Sequence, residues 1–267
     1  VTESVACLET AGFGPIEARR GRARPHTPKL QGAQRLTGTV INVGAVLVGS
    51  LAGVFLGSRL SEPMRRTVLQ CLGLITLVVG IQMALETRNI LIVMGAMLLG
   101  GIAGELLRIH DGLERLGSLL QSLLPPGKRG RVAEGFVTAS LVFCVGPMAI
   151  LGSFQDGISG DFRLLSVKSV LDGFASVAFS AGLGWGVPFA GLTVLLYQGG
   201  LTLFAGLFSA ILTEPMIHEM TAAGGLIIVG IGIKLLELKE VRLASFLPAL
   251  AVAPLIVFLI PKVQALF

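Results

Sequence analysis

The chain has 267 residues, 53% of them hydrophobic and only 14% charged, against roughly 25% charged in ordinary soluble domains. Such a chain cannot cover a globular surface with polar groups, so its composition excludes a soluble domain and points to the bilayer. The net charge of +5 does not imply nucleic acid. Six basic residues fall in the first 35 positions, and the rest of the excess flanks apolar runs, as membrane topology requires.

Residues 1–35 carry Arg19, Arg20, Arg22, Arg24, Pro25 and Pro28 and no apolar run. They lack the apolar core of a signal peptide, and are expected to be a disordered basic tail or a misassigned start. The apolar runs begin at Gly38. A helix needs about 20 residues to span the hydrocarbon, which predicts spans near 38–57, 67–85, 90–107, 132–152, 164–185, 188–212, 220–237 and 243–260. Segment 108–131 is too charged to span, and Leu113, Leu116, Leu119, Leu120, Leu123 and Leu124 fall largely at helical spacing before Pro125-Pro126. That pattern predicts an amphipathic helix on the interface. The fold expected is an all-α polytopic transmembrane helix bundle of seven or eight spans.

Within the transmembrane domain, residues 36–267, the sequence repeats itself. At a shift of 152, Ser61-Glu62-Pro63-Met64 lies on Thr213-Glu214-Pro215-Met216, Gly73-Leu74-Ile75 on Gly225-Leu226-Ile227, and Gly80-Ile81 on Gly232-Ile233. The division expected is a repeat A over 38–107, the amphipathic segment, a broken hairpin over 132–187, and a repeat B over 188–260. With five helices between their starts the two copies would be inverted, an arrangement that places transporter sites near the midplane between the copies. Arg59, Arg65 and Arg66, then Arg108, Arg115, Lys128, Arg129 and Arg131, then Lys234, Lys239 and Arg242 lie on one side. The positive-inside rule makes that side cytoplasmic and puts both termini outside.

Residues able to carry chemistry are few. In span 1, Ala45, Gly49, Gly53 and Gly57 form a close-packing stripe, and Asn42 is an amide needing a partner in the bilayer core. Span 3 repeats the stripe at Ala96, Gly100 and Gly104 and adds Glu105, expected at the interface or paired with Arg108. In span 5, Asp172 lies about 12 Å into a core of ~30 Å. An acid there costs at least ~2.5 kcal/mol. Ser169, Asp172, Ser176 and Ser180 share one helix face, and Lys168 stands one turn before Asp172. Gly146-Pro147 should break the fourth span, a fault tolerated only where other groups satisfy the freed backbone. Gln155, Asp156 and Asp161 follow as an outward entry loop, whose oxygens could suit a hard cation or simply form a turn. Cys71 and Cys144 sit in apolar runs as expected buried thiols, and with Cys7 they show no disulfide or zinc spacing. No zincin, nucleophile-elbow or phosphate-loop motif occurs.

Gly38-Thr39-Val40-Ile41-Asn42, Cys144-Val145-Gly146-Pro147-Met148-Ala149-Ile150-Leu151-Gly152-Ser153, Gln155-Asp156-Gly157 and Lys168-Ser169-Val170-Leu171-Asp172-Gly173 together resemble a known family. It is the YdfK/YqgA-like group of bacterial inner-membrane proteins, domain of unknown function 554, and the resemblance covers roughly 36–262. It implies a multi-pass protein of the bacterial plasma membrane and brings no substrate or mechanism. The function expected is a secondary transporter or ion-translocating protein for a small ion or metabolite. Asp172, Asn42, Lys168, Ser169 and Ser176 would form the binding site, and Gly146 and Pro147 the hinge. The alternative is a membrane scaffold or regulatory partner without a transport path. An intramembrane enzyme would have only Asp172 and Glu105 as acids, so no enzyme is expected, nor a cofactor, a metal centre or nucleic acid. The partners expected are the lipid bilayer, a small solute and, where self-association occurs, further copies of the chain.

Overall fold

The computed structural model describes residues 36–125 and 131–264. The basic tail, Cys7, Lys128 and Arg129 lie outside them. The described residues form helices α1 (Thr37–Gly57), α2 (Glu62–Ala84), α3 (Ile90–Leu106), α4 (Ile109–Ser122), α5 (Val132–Cys144), α6 (Pro147–Ser159), α7 (Arg163–Leu183), α8 (Gly186–Leu203), α9 (Ala205–Ile211), α10 (Glu214–Leu235) and α11 (Ala249–Gln264), with a 3-10 turn over Leu243–Phe246. Six helical stretches are long and apolar enough to cross a membrane, and up to eight if two bent pairs, α3 with α4 and α5 with α6, each count as one span. All eight predicted apolar runs are therefore helical.

Two boundaries differ from the sequence reading. The Glu-Pro-Met matches, which precede the spans predicted from 67 and 220, open α2 and α10. Proline is tolerated in the first turn, where its missing N–H has no intrahelical partner to lose. Ser61 and Thr213, one residue before each helix, take the same extended backbone, with ψ of 155° and 160°. The break between α5 and α6 bends the chain by 61°. Gly146 there adopts φ 159° and ψ 151°, a region open essentially only to glycine.

Close glycine contacts fix the packing. Along the seam of α1 and α7, a Cβ on Gly49 would meet Gly173 O at 2.3 Å, one on Gly53 would meet Val177 O at 2.2 Å, and one on Gly57 would meet Ala181 O at 2.6 Å. The partners advance together, so these two helices run parallel. Helices α2 and α10 run antiparallel: a Cβ on Gly80 would lie 2.8 Å from Gly225 O, and one on Gly232 would lie 2.9 Å from Gly73 O. The Ala96–Gly104 stripe of α3 packs where expected for a small-residue face, with Gly100 against Ala249 and Gly104 against Ser245. Only backbones without side chains approach this closely. Helix α10 is the most enclosed span, with Ile227 and Ile231 in the core beside Phe143 and Phe179. The large exposed side chains, among them Val48, Phe55, Leu98 and Phe174, form the lipid-facing surface. Cys71 is also exposed there, whereas Cys144 is buried.

Arg108, in the left-handed conformation at φ 51° and ψ 40°, turns the chain by 59° from α3 into α4. Helix α4 has the amphipathic character read from the sequence. Gly117 is buried against Ala133 of α5, while Leu116, Leu119 and Leu123 stay exposed. Glu105 pairs with Arg242 and accepts from Ser245 Oγ at 2.9 Å, and Arg242 also holds Asp111. The expected Arg108 partner is thus replaced by a residue 137 positions away, which the sequence could not bring near.

Candidate functional site

A proline inside a span leaves a carbonyl without a donor, and here a lysine supplies it. Residue 147 has no N–H, so the carbonyl of Phe143, four residues earlier, loses its helical partner. Lys168 Nζ of α7 donates to Phe143 O at 2.7 Å and ion-pairs with Asp172 one turn along its own helix. The break and the charged helix, set beside each other in the sequence reading, are joined through this lysine. Lys168 is 6% and Asp172 8% exposed.

Two other helices complete the cluster. Asn42 of α1 donates from Nδ2 to Asp172 Oδ2 at 3.0 Å and to Gln198 Oε1 of α8 at 2.8 Å. Gln198 Nε2 donates to Thr39 Oγ1 at 3.3 Å, and the hydroxyls of Thr39 and Thr202 lie 3.3 Å apart. Each of these side chains is buried, where an unpaired polar group would be costly. The sequence reading named Asn42, Lys168 and Asp172 but not Gln198, Thr39 or Thr202. Gln198 carried the same signal as Asn42, an amide within an apolar span. The threonines carried none, because a lone threonine is common in any membrane helix.

The serine stripe of α7 lies on the protein side, as its spacing implied. Ser169, Ser176 and Ser180 are all buried. Ser169 Oγ donates to Leu165 O and Ser176 Oγ to Gly173 O, at 2.6 and 2.8 Å. Gly49 and Gly53 of α1 are pressed onto Ser176 and Ser180, so the stripe is sealed along most of its length. At the arginine-rich end a cavity of about 320 Å³ reaches Ser180, walled by Gly57, Arg65, Arg131 and Trp185 among others. Arg65 Nε donates to Gly182 O at 2.8 Å. Arg131 donates to Glu134 at 2.8 Å, and this hydrogen bond holds its guanidinium above the usual arginine range. At the opposite end of the bundle Leu165, fully buried, fills the gap between Gly38 and Gly152.

The expected entry loop is assembled differently. Gln155 and Asp156 continue helix α6, which runs to Ser159 and closes on Gly160 at φ 71°. Gln155 is exposed. Asp156 is 0% exposed and its Oδ2 accepts from Gly38 N of α1 at 3.1 Å. Asp161 alone stays in the connection, where it accepts from Arg163 N at 3.1 Å and so opens α7. The two carboxylates do not converge, because a helical Asp156 points at α1 while Asp161 accepts from Arg163 N at the start of α7. Among the described residues no group of three His, Cys, Asp or Glu side chains could hold a metal ion.

Residues 37–258 match the model of a family described as a protein of unknown function, DUF554. The chain is 26% identical over 227 residues to the uncharacterized membrane protein YdfK of Bacillus subtilis, covering 84% of this chain and 96% of the relative. It is 30% identical over 220 residues to the uncharacterized protein YqgA of Escherichia coli, covering 81% of this chain and 94% of that one. No solved structure matches it.

Proposed function

The chain belongs to the DUF554 family of membrane proteins, and we propose that it is a secondary transporter or ion-translocating protein with its site at Asn42, Lys168, Asp172 and Gln198. The observation that carries this reading is a buried ion pair and two amides gathered beside a broken span. Asp172 is nine residues into α7, or about 13 Å along a helix of roughly 31 Å, close to mid-membrane. Ionisable groups at that depth mark solute and ion paths by default. Lys168 neutralises Asp172 while no solute is bound.

The helix pairs support an inverted arrangement. At the shift of 152, α1 corresponds to α8, α2 to α10 and α3 to α11. Contact partners in all three pairs run in opposite directions: Leu47 with Gly191 and Thr39 with Gly199, Gly80 with Gly225 and Gly73 with Gly232, Gly100 with Ala249 and Gly104 with Ser245. The hydrogen bond from Asn42 Nδ2 to Gln198 Oε1 crosses the first of them. A site between inverted copies, next to a discontinuous helix, is the usual transporter layout. The sealed α1–α7 seam and the Leu165 wedge would then be the two gates, and the 320 Å³ cavity the cytoplasmic vestibule.

Single cysteines at Ser169, Ser176 and Ser180, made after removing Cys7, Cys71 and Cys144, test the path. Labelling by a water-soluble thiol reagent along the stripe, strongest at the cavity-lining position 180, is expected. Complete protection of all three in membranes would sink the reading in favour of the scaffold, for which the exposed leucines of α4 would be the docking face. Asp172→Asn is expected to abolish solute flux in vesicles while the folded protein still accumulates.

A further inference from the structure

Among the described residues Asp156 is a carboxylate with no cationic side chain beside it. It is fully buried, yet among the described residues no lysine, arginine or histidine pairs with it. Among the described residues its one hydrogen bond comes from Gly38 N, and its Oδ1 has no partner. A buried ionised carboxylate is paired, metal-bound or neutralised. Lys168, the buried cation of α7, is committed to Asp172 and Phe143 O.

The surroundings are rich in oxygen. Asp156 stands on the last turn of α6, and a Cβ on the next residue, Gly157, would fall 2.2 Å from Thr202 O near the end of α8. Two helix C-termini, which favour positive charge, therefore meet at this point, together with the N-terminus of α1, whose Gly38 N–H favours the ionised carboxylate. Gly38, which binds Asp156, is followed by Thr39, whose hydroxyl lies 3.3 Å from that of Thr202.

We infer that Asp156 Oδ1, with oxygens of Thr39 and Thr202, forms a binding site for a dehydrated alkali cation, distinct from the Lys168–Asp172 pair. One carboxylate and neutral oxygens balance a single positive charge. A divalent ion would leave a net charge in low dielectric and usually recruits more carboxylates. Thr39 belongs both to this site and, through Gln198 and Asn42, to the hydrogen-bonded row ending at Asp172. A cation bound at Asp156 would pull on that row. The inference thus deepens the transport reading by naming the class of the coupling ion.

The test uses the purified full chain in detergent, with its thermal midpoint measured in NaCl, LiCl and KCl against choline chloride at equal ionic strength. A saturable rise in midpoint with at least one alkali salt is expected for the native chain, since a ligand of the folded state stabilises it by mass action. Asp156→Asn keeps the acceptor for Gly38 N, and should show a higher midpoint in choline and no alkali response. Thr202→Val, which leaves the carboxylate in place, should weaken the apparent affinity by about tenfold or more. The inference is overturned if no alkali salt moves the native chain, which would mean a carboxyl held as the neutral acid. It is equally overturned if Asp156→Asn or Thr202→Val responds like the native chain, which would place the ion elsewhere. A missing cation response would leave the cysteine-labelling result on the α7 stripe untouched, whereas a protected stripe with an intact cation response would remove transport and keep the ion site.

Discussion

Replacing Lys168 by methionine would leave Asp172 without its cation and Phe143 O without its donor. The pair is too buried for solvent to screen it, at 6% and 8% exposure. Removing one partner of such a pair costs about 3–5 kcal/mol, because the remaining charge stays in low dielectric. Removing both charges, in Lys168→Met/Asp172→Asn, should cost less. The amide introduced in place of Asp172 can still accept from Asn42 Nδ2, and the remaining penalty is the unmet carbonyl of Phe143, about 1–3 kcal/mol. The double variant is therefore expected to be more stable than Lys168→Met by roughly 2 kcal/mol, a coupling well above the scatter for independent sites. Unfolding curves in mixed micelles for the native chain, both single variants and the double variant close the thermodynamic cycle. If the double variant is as unstable as the sum of the two single ones, Lys168 and Asp172 do not stabilise each other and the site argument fails. A cost below about 1 kcal/mol for Lys168→Met would refute the burial argument in the same way.

Four further outcomes follow from the packing and the polar contacts. Gly53→Val should cost at least about 1–3 kcal/mol in unfolding midpoint by overpacking, since its Cβ would sit 2.2 Å from Val177 O. Gly206→Ala, with nothing within 4 Å of the new methyl, should stay within about 0.5 kcal/mol of the native chain. Glu219→Ala strips a buried acceptor from Thr87 Oγ1, Arg88 N and Asn89 N, each charged bond contributing about 1.5–3 kcal/mol. Proteolysis in the loop before α3 should rise with it. Arg242→Ala breaks the pairs to Glu105 and Asp111, but all three are half-exposed. Its effect on global stability should stay under about 1 kcal/mol, while amide exchange in α4 quickens.

Periodicity and composition determined the membrane class, the eight apolar runs and the amphipathic character of α4, because length and hydrophobicity are properties of consecutive residues. The buried acid of α7, its lysine and the amide Asn42 were legible for the same reason: charges and amides are costly in an apolar helix wherever it packs. The proline break could be read as a local event. What the break does could not, since the donor to Phe143 O lies 25 residues away. Tertiary structure alone joined Asn42 to Gln198 across 156 residues, turned Asp156 inward onto Gly38 N, and gave Glu105 to Arg242. It also sealed the serine stripe with the glycines of α1. Each of these depends on which helix faces which. A single sequence encodes which faces are apolar, small or polar, but the pairing of those faces is decided only when the helices pack and buried polar groups compete for partners.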